Sequence, residues 1–239
     1  MKGYVDWNCR LLPHMCGQIS DPAETSVYLG LLSECQEIRR FCMMPDFDVQ
    51  KESVSMFLLR RFRAAKELET RLPRGIRVRY AGRALLTPDL HRTEHLKKLC
   101  IFRGRYLPIL LPVGEYADWI DLELNRLLYK TRVKLLLTSC ELYPIFYPKE
   151  VLERLFRMEN AIYQFNYKAL AEPSLCRWID RLLRQNRTVL LGTSLELPDK
   201  VRAYNVEEYL KAAEDHMYIT HIETLCKSNA HAWSRRNYI

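Results

Sequence analysis

The sequence predicts an α/β protein built on parallel strands. Short apolar runs rich in β-branched and aromatic residues recur seven times, at residues 4–7, 38–44, 76–81, 106–111, 133–138, 161–165 and 189–192. The segments between them carry helical periodicity. Two of the runs, Lys134-Leu135-Leu136-Leu137-Thr138 and Thr188-Val189-Leu190-Leu191-Gly192, are almost continuously apolar, as strands covered on both faces must be. Seven strand–helix units in one chain suggest a barrel or a doubly wound sheet.

The elements follow in order. Asp21 can cap the first helix, with Pro22 at its first position and Glu24 as the reciprocal acid of a capping box. The second helix, expected over 52–72, places Phe57, Leu58, Phe62, Ala65, Leu68 and Leu72 along one stripe, with its arginines mainly off it. Further helices are expected near 88–99, 116–129, 149–158, 173–183 and 206–226. Residues 227–239 read as a C-terminal tail, which sets one domain at 1–226. There is no internal repeat or linker. A single domain of 239 residues buries roughly 70–75% of its unfolded surface, enough for a substantial core.

Composition narrows the function classes. No apolar run approaches the ~20 residues of a membrane span, and no signal-peptide pattern opens the chain. A soluble, cytoplasmic protein is expected. The eight cysteines contain no C-x-x-C pair, which argues against zinc knuckles and thioredoxin chemistry. Reduced, buried thiols are expected. The net charge is +8, and much of the excess lies between Arg60 and Arg105. A basic face attracts anions, whereas a solvated face with local acidic partners is the structural alternative.

In either architecture the chemistry belongs at the carboxyl ends of the strands. These ends carry Asp6, Asn8 and Arg10; Asp46, Phe47 and Asp48; Arg83; Ser139, Cys140 and Glu141; Asn166; and Ser194 and Glu196. No histidine is among them. Read in sequence order, Asp6-Trp7-Asn8-Cys9-Arg10 leads into Leu11-Leu12-Pro13. Then come Met44-Pro45-Asp46-Phe47, Gly82-Arg83-Ala84 and Tyr106-Leu107-Pro108-Ile109-Leu110-Leu111-Pro112. Ser139-Cys140-Glu141-Leu142-Tyr143, Tyr163-Gln164-Phe165-Asn166 and Thr193-Ser194-Leu195-Glu196 close the series.

This series resembles the PHP (polymerase and histidinol phosphatase) superfamily. It is most similar to the manganese-dependent tyrosine phosphatases of bacterial capsule and exopolysaccharide operons. Their D-x-H-x-H, T-P-H-H, G-x-E, H-P-E-R-Y, L-Q-I-N and S-D-A-H motifs occur in this order, and the match spans about residues 3 to 215. The resemblance implies a distorted (β/α)7 TIM-like barrel. It also implies a multinuclear metal centre that activates water and clamps phosphate.

At the family's site positions this chain carries Asp6, Asn8, Arg10, Asp46, Ala84, Ser139, Glu141, Asn166, Ser194 and Glu196. The ligand histidines are gone, and the family's phosphate-contacting arginine is Leu142. Only Asp46 and Glu196 keep good ligand chemistry. Hence no intact catalytic set and no cofactor are expected; the alternative is manganese or another divalent ion on Asp46 and Glu196. Arg10, with Arg83, can supply positive charge for a phosphate or carboxylate, or Arg10 can pair with Asp6, Asp46 or Glu196 and plug the cavity.

His91-Arg92-Thr93-Glu94-His95 matches the H-x-x-E-H zinc pattern, which requires both histidines on one helix face. A surface helix with no metal role is the expectation. His14 reads as structural rather than as a general base. No cysteine starts C-x5-R, and G-x-S-x-G, Walker A and G-x-G-x-x-G are absent. The expected function is that of a pseudophosphatase binding an anionic or phosphorylated partner. The resemblance suggests a tyrosine kinase of polysaccharide synthesis. An active phosphatase with a reduced metal site and a basic nucleic-acid binder are the alternatives.

Overall fold

A computed structural model describes residues 4–15, 21–195 and 204–234. All seven expected runs form parallel strands, and two short strands are added. In chain order they are β1 (Tyr4–Cys9), β2 (Ile38–Met43), β3 (Asp46–Phe47), β4 (Arg77–Tyr80), β5 (Arg83–Leu85), β6 (Tyr106–Leu110), β7 (Lys134–Leu137), β8 (Ala161–Asn166) and β9 (Val189–Gly192). They make two sheets, ordered β1-β2-β4 and β3-β5-β6-β7-β8-β9.

The sequence leads one to expect seven strands, and the described residues hold nine, because pairing resumes beyond two of the runs, after Pro45 and Gly82. Pro45 has no N–H to donate and separates β2 from β3. Gly82 separates β4 from β5; a Cβ there would lie 2.5 Å from the Phe57 ring. Bonds from Ala81 N to Met43 O (2.8 Å) and from Arg83 N to Pro45 O (2.9 Å) carry the pairing across both breaks. Ser194 N donates to Asn8 O (2.9 Å) and Arg10 N to Leu195 O (3.0 Å), which ties the end of β1 to the segment after β9.

The helices are α1 (Pro22–Gln36), α2 (Val54–Glu69), α3 (Trp119–Lys130), α4 (Tyr143–Phe146), α5 (Lys149–Phe156), α6 (Pro173–Arg184), α7 (Val206–Ala213) and α8 (Ile219–Ser234). Asp21 caps α1 as expected, accepting from Ala23 N at 2.8 Å. Glu24 accepts from Tyr28 Oη instead of closing a capping box. On α2 the buried face is Val54, Phe57, Ala64, Ala65 and Leu68, while Phe62 is 59% exposed.

Two expectations are corrected here. Residues 88–99 form two 3-10 turns, Leu90–Arg92 and Leu96–Leu99, because Asp89 and His95 adopt left-handed backbone angles (φ 63° and 60°) that break an α-helix. The domain does not end at residue 226, since α8 runs on to Ser234. Asn229 Oδ1 accepts from Leu191 N (2.8 Å) and its Nδ2 donates to Val189 O (3.1 Å), so α8 satisfies backbone groups of β9. Residues 235–239 of the expected tail lie outside the described residues.

The larger apolar cluster packs strands against helices. A second cluster joins Val5, Trp7, Cys42, Leu136, Ile162 and Leu190 from five strands, with Met44 just past β2, to Trp233 of α8. Trp7 and Trp233 meet edge-to-face, with ring centroids 5.8 Å apart.

Candidate functional site

The polar ends of β1, β3, β5, β7, β8 and β9 converge on Asn8, which is fully buried. Its Nδ2 lies 2.9 Å from Gln164 Oε1, 3.1 Å from Ser194 Oγ and 3.3 Å from Ser139 Oγ. Gln164 Oε1 also accepts from Ser139 N at 2.9 Å. Ser139 and Ser194 take left-handed angles (φ 54° and 51°) just past their strands. Gly192 lets β9 approach: a Cβ there would sit 2.6 Å from Asn8 N.

Asp46 is the charged centre. Arg10 Nη2 meets its Oδ2, and Arg83 Nε meets its Oδ1, both at 2.6 Å. Arg83 Nη1 continues to Ser139 Oγ at 3.1 Å, which joins the ion pairs to the Asn8 cluster. Arg83 is only 2% exposed, so its charge is compensated by Asp46 rather than by water.

Asp6 does not face this pair. Its Oδ1 accepts from Asn8 N and Thr193 N (both 2.9 Å), and its Oδ2 accepts from the Thr193 hydroxyl, which staples β1 to the end of β9. Complete burial pushes its carboxyl up to about 6 despite those bonds. Glu141 accepts from Asn166 N at 3.0 Å, and burial pushes it up to about 7. Asn166 also donates to Thr193 O (2.6 Å) and accepts from Tyr204 Oη (2.7 Å). Ala84 lies in the apolar core, and its neighbour Arg83 occupies the polar cluster instead. Glu196 lies outside the described residues.

The described donor set at these strand ends differs from the histidines and carboxylates that the resemblance implies. The amide of Asn8 points its N–H groups at the cluster, and Arg10 and Arg83 occupy Asp46.

A different group gathers ligand atoms. Asp89, His91 and Glu123 each offer one, all within 4.8 Å of one another. Glu123, buried on α3, accepts from Asp89 N (3.2 Å) and His91 N (2.7 Å) and faces His91 Nδ1 at 2.9 and 3.0 Å. Arg126 Nη1 stands 3.6 Å from Glu123 and 3.8 Å from Asp89. One imidazole and two carboxylates are ligands a divalent ion accepts. The H-x-x-E-H pattern thus pointed to His91 but to the wrong partners, since the 3-10 turns do not keep His95 on its face. Glu123 carries no motif, and only the fold brings it to His91. Gln164 and Thr193 were also missed as site residues, although both lie within the quoted motifs.

No family model matches the chain, and no curated protein does. Among solved structures, it is similar to the crystal structures of YwqE from Bacillus subtilis and CpsB from Streptococcus pneumoniae, described as unique metal-dependent tyrosine phosphatases. The TM-score is 0.68, over 93% of this chain and 91% of the other, at 16% identity. This chain has the fold of those phosphatases. The resemblance read from the sequence therefore holds for the architecture. The expectation of no cofactor is corrected: Asp89, His91 and Glu123 form a group chemically able to hold a divalent ion, and YwqE and CpsB are described as metal-dependent. No helix among the described residues is long and apolar enough to cross a membrane.

Proposed function

We propose that this chain is a cytoplasmic pseudophosphatase that binds an anionic or phosphorylated partner at the strand carboxyl ends and does not hydrolyse it there. The observation that carries this is Asp46 held between Arg10 and Arg83, where the resembled family builds its metal centre. Arg10, with its side chain 17% exposed, is the group an incoming phosphate meets first. The polysaccharide context, with a tyrosine kinase as the partner, rests on the resemblance alone. The same reading takes β2–β3 and β4–β5 as single interrupted strands, which gives seven units closed into a barrel by the bonds between β1 and the end of β9.

The test is the untagged full chain with a phosphotyrosyl peptide and added manganese. The expected result is turnover no higher than that of Asp46→Asn, with peptide binding weakened roughly tenfold or more by Arg10→Ala. Manganese-dependent turnover that is lost in Asp46→Asn overturns the reading. A second reading is favoured by the Asp89–His91–Glu123 group: a phosphatase with its metal relocated there. Turnover lost in Glu123→Gln but kept in Asp46→Asn selects it.

A further inference from the structure

Because the strands are parallel, their amino ends gather on the face opposite Asp46. That face is cationic. Arg40 and Arg77 are register partners across β2 and β4. Arg79 stacks its guanidinium 4.3 Å from the centroid of Trp233, and Lys134 lies 5.8 Å from that of Tyr106. Arg103 and Arg105 flank Gly104 in the turn into β6. None of these six cations has an ion-pair partner among the described residues. Acids do reach this end: Glu207, Glu214 and Glu223 line a separate cavity with Arg40 and Tyr4, and the exposed Glu37 and Glu159 precede β2 and β8.

A cavity of about 460 Å³ opens in the same face, lined by Phe102, Arg103, Arg105, Tyr106, Thr188 and His231. Its rings are fixed in place. Phe102 and Tyr106 meet edge-to-face with centroids 5.8 Å apart, and Phe102 packs on buried Trp7 at 5.2 Å. The turn is pinned by the paired bonds between Ile101 and Tyr106 (2.8 and 3.1 Å). The volume lies in the range of small-ligand sites. Arginine forks match phosphate oxygens, aromatic faces stack on bases, and a threonine hydroxyl serves either hydrogen-bonding role.

We propose that this cavity binds a nucleotide, with its phosphates on Arg103 and Arg105 and its base against Phe102 and Tyr106. A mononucleotide fits better than a nucleic-acid strand because rings and arginines meet in one cavity rather than along a groove. The site is independent of the strand carboxyl ends, so neither proposal stands or falls with the other.

The test is calorimetric titration of the untagged full chain with ADP, adenosine, inorganic pyrophosphate and a mixed-sequence single-stranded oligonucleotide. ADP is expected to saturate one site, with adenosine and pyrophosphate each binding roughly tenfold or more weakly. Arg103→Ser with Arg105→Ser, both exposed positions, is expected to weaken ADP by roughly tenfold or more. Arg10→Ala should leave ADP binding unchanged. Failure of ADP to saturate at millimolar concentration overturns the proposal, as does binding indifferent to the paired substitution. An oligonucleotide that binds far more tightly than ADP also overturns it.

Discussion

Asp46 accepts from two guanidiniums, one of them on a side chain that is almost fully buried. Removing its charge leaves Arg83 uncompensated in the interior, so Asp46→Asn is expected to lose about 3 kcal/mol in chemical denaturation. That is less than the roughly 5–15 kcal/mol of a typical domain, so the variant remains folded. Asp6 makes a prediction about pH. Its folded value of about 6 lies above an unfolded value near 3.9, so folding favours the protonated acid. Its stabilisation is complete below about pH 4 and is lost as pH rises through about 6. Glu141, raised to about 7, acts in the same direction over a window reaching slightly higher. Stability should therefore fall from pH 4 to pH 7. In Asp6→Asn, which keeps the acceptor for Asn8 N and Thr193 N, that fall should shrink by roughly 2–3 kcal/mol. An unchanged slope of melting temperature against pH in the variant would contradict this assignment.

At the scale of elements, Glu123 of α3 clamps the turn at Leu90–Arg92 through Asp89 N, His91 N and His91 Nδ1. Glu123→Ala orphans two backbone donors and is expected to cost about 2 kcal/mol or more. Hydrogen exchange should quicken selectively over residues 86–93. Trp233 anchors α8 against Trp7 and carries Arg79 on its face. Trp233→Ala is expected to cost about 3–5 kcal/mol, whereas a free tail would give almost none. These two elements mark where the sequence stopped being readable. The seven strands were legible because β-rich apolar runs have one common use, and Asp21-Pro22 is a strong local start signal. Residues 88–99 and 227–234 were not legible, because left-handed angles at Asp89 and His95 and the docking of Asn229 on β9 are tertiary decisions with no local signature. The Asn8, Asp46 and Ser139 cluster was legible only as an ordered series of strand ends. That Arg83 rather than Ala84 enters it depends on which face of β5 is turned inward, and three residues are too few to show that by alternation.

At the scale of the molecule, the two ends of the strand array differ in charge economy. At the carboxyl end, guanidiniums are matched to Asp46 in a hydrogen-bonded layer with little exposure. At the amino end, six cations have no ion-pair partner among the described residues, and two of them, Arg79 and Lys134, lie over aromatic rings. The fold is that of structures described as metal-dependent tyrosine phosphatases, and on our proposal protein charge takes the place of a metal at the strand carboxyl ends. The most direct test of that replacement is manganese binding to the untagged chain, followed by electron paramagnetic resonance, in wild type, Asp46→Asn and Glu123→Gln. A rebuilt pocket predicts that bound manganese is kept in Asp46→Asn and lost in Glu123→Gln. Two or more tightly held ions that disappear in Asp46→Asn would contradict it, and would return the strand ends to catalysis.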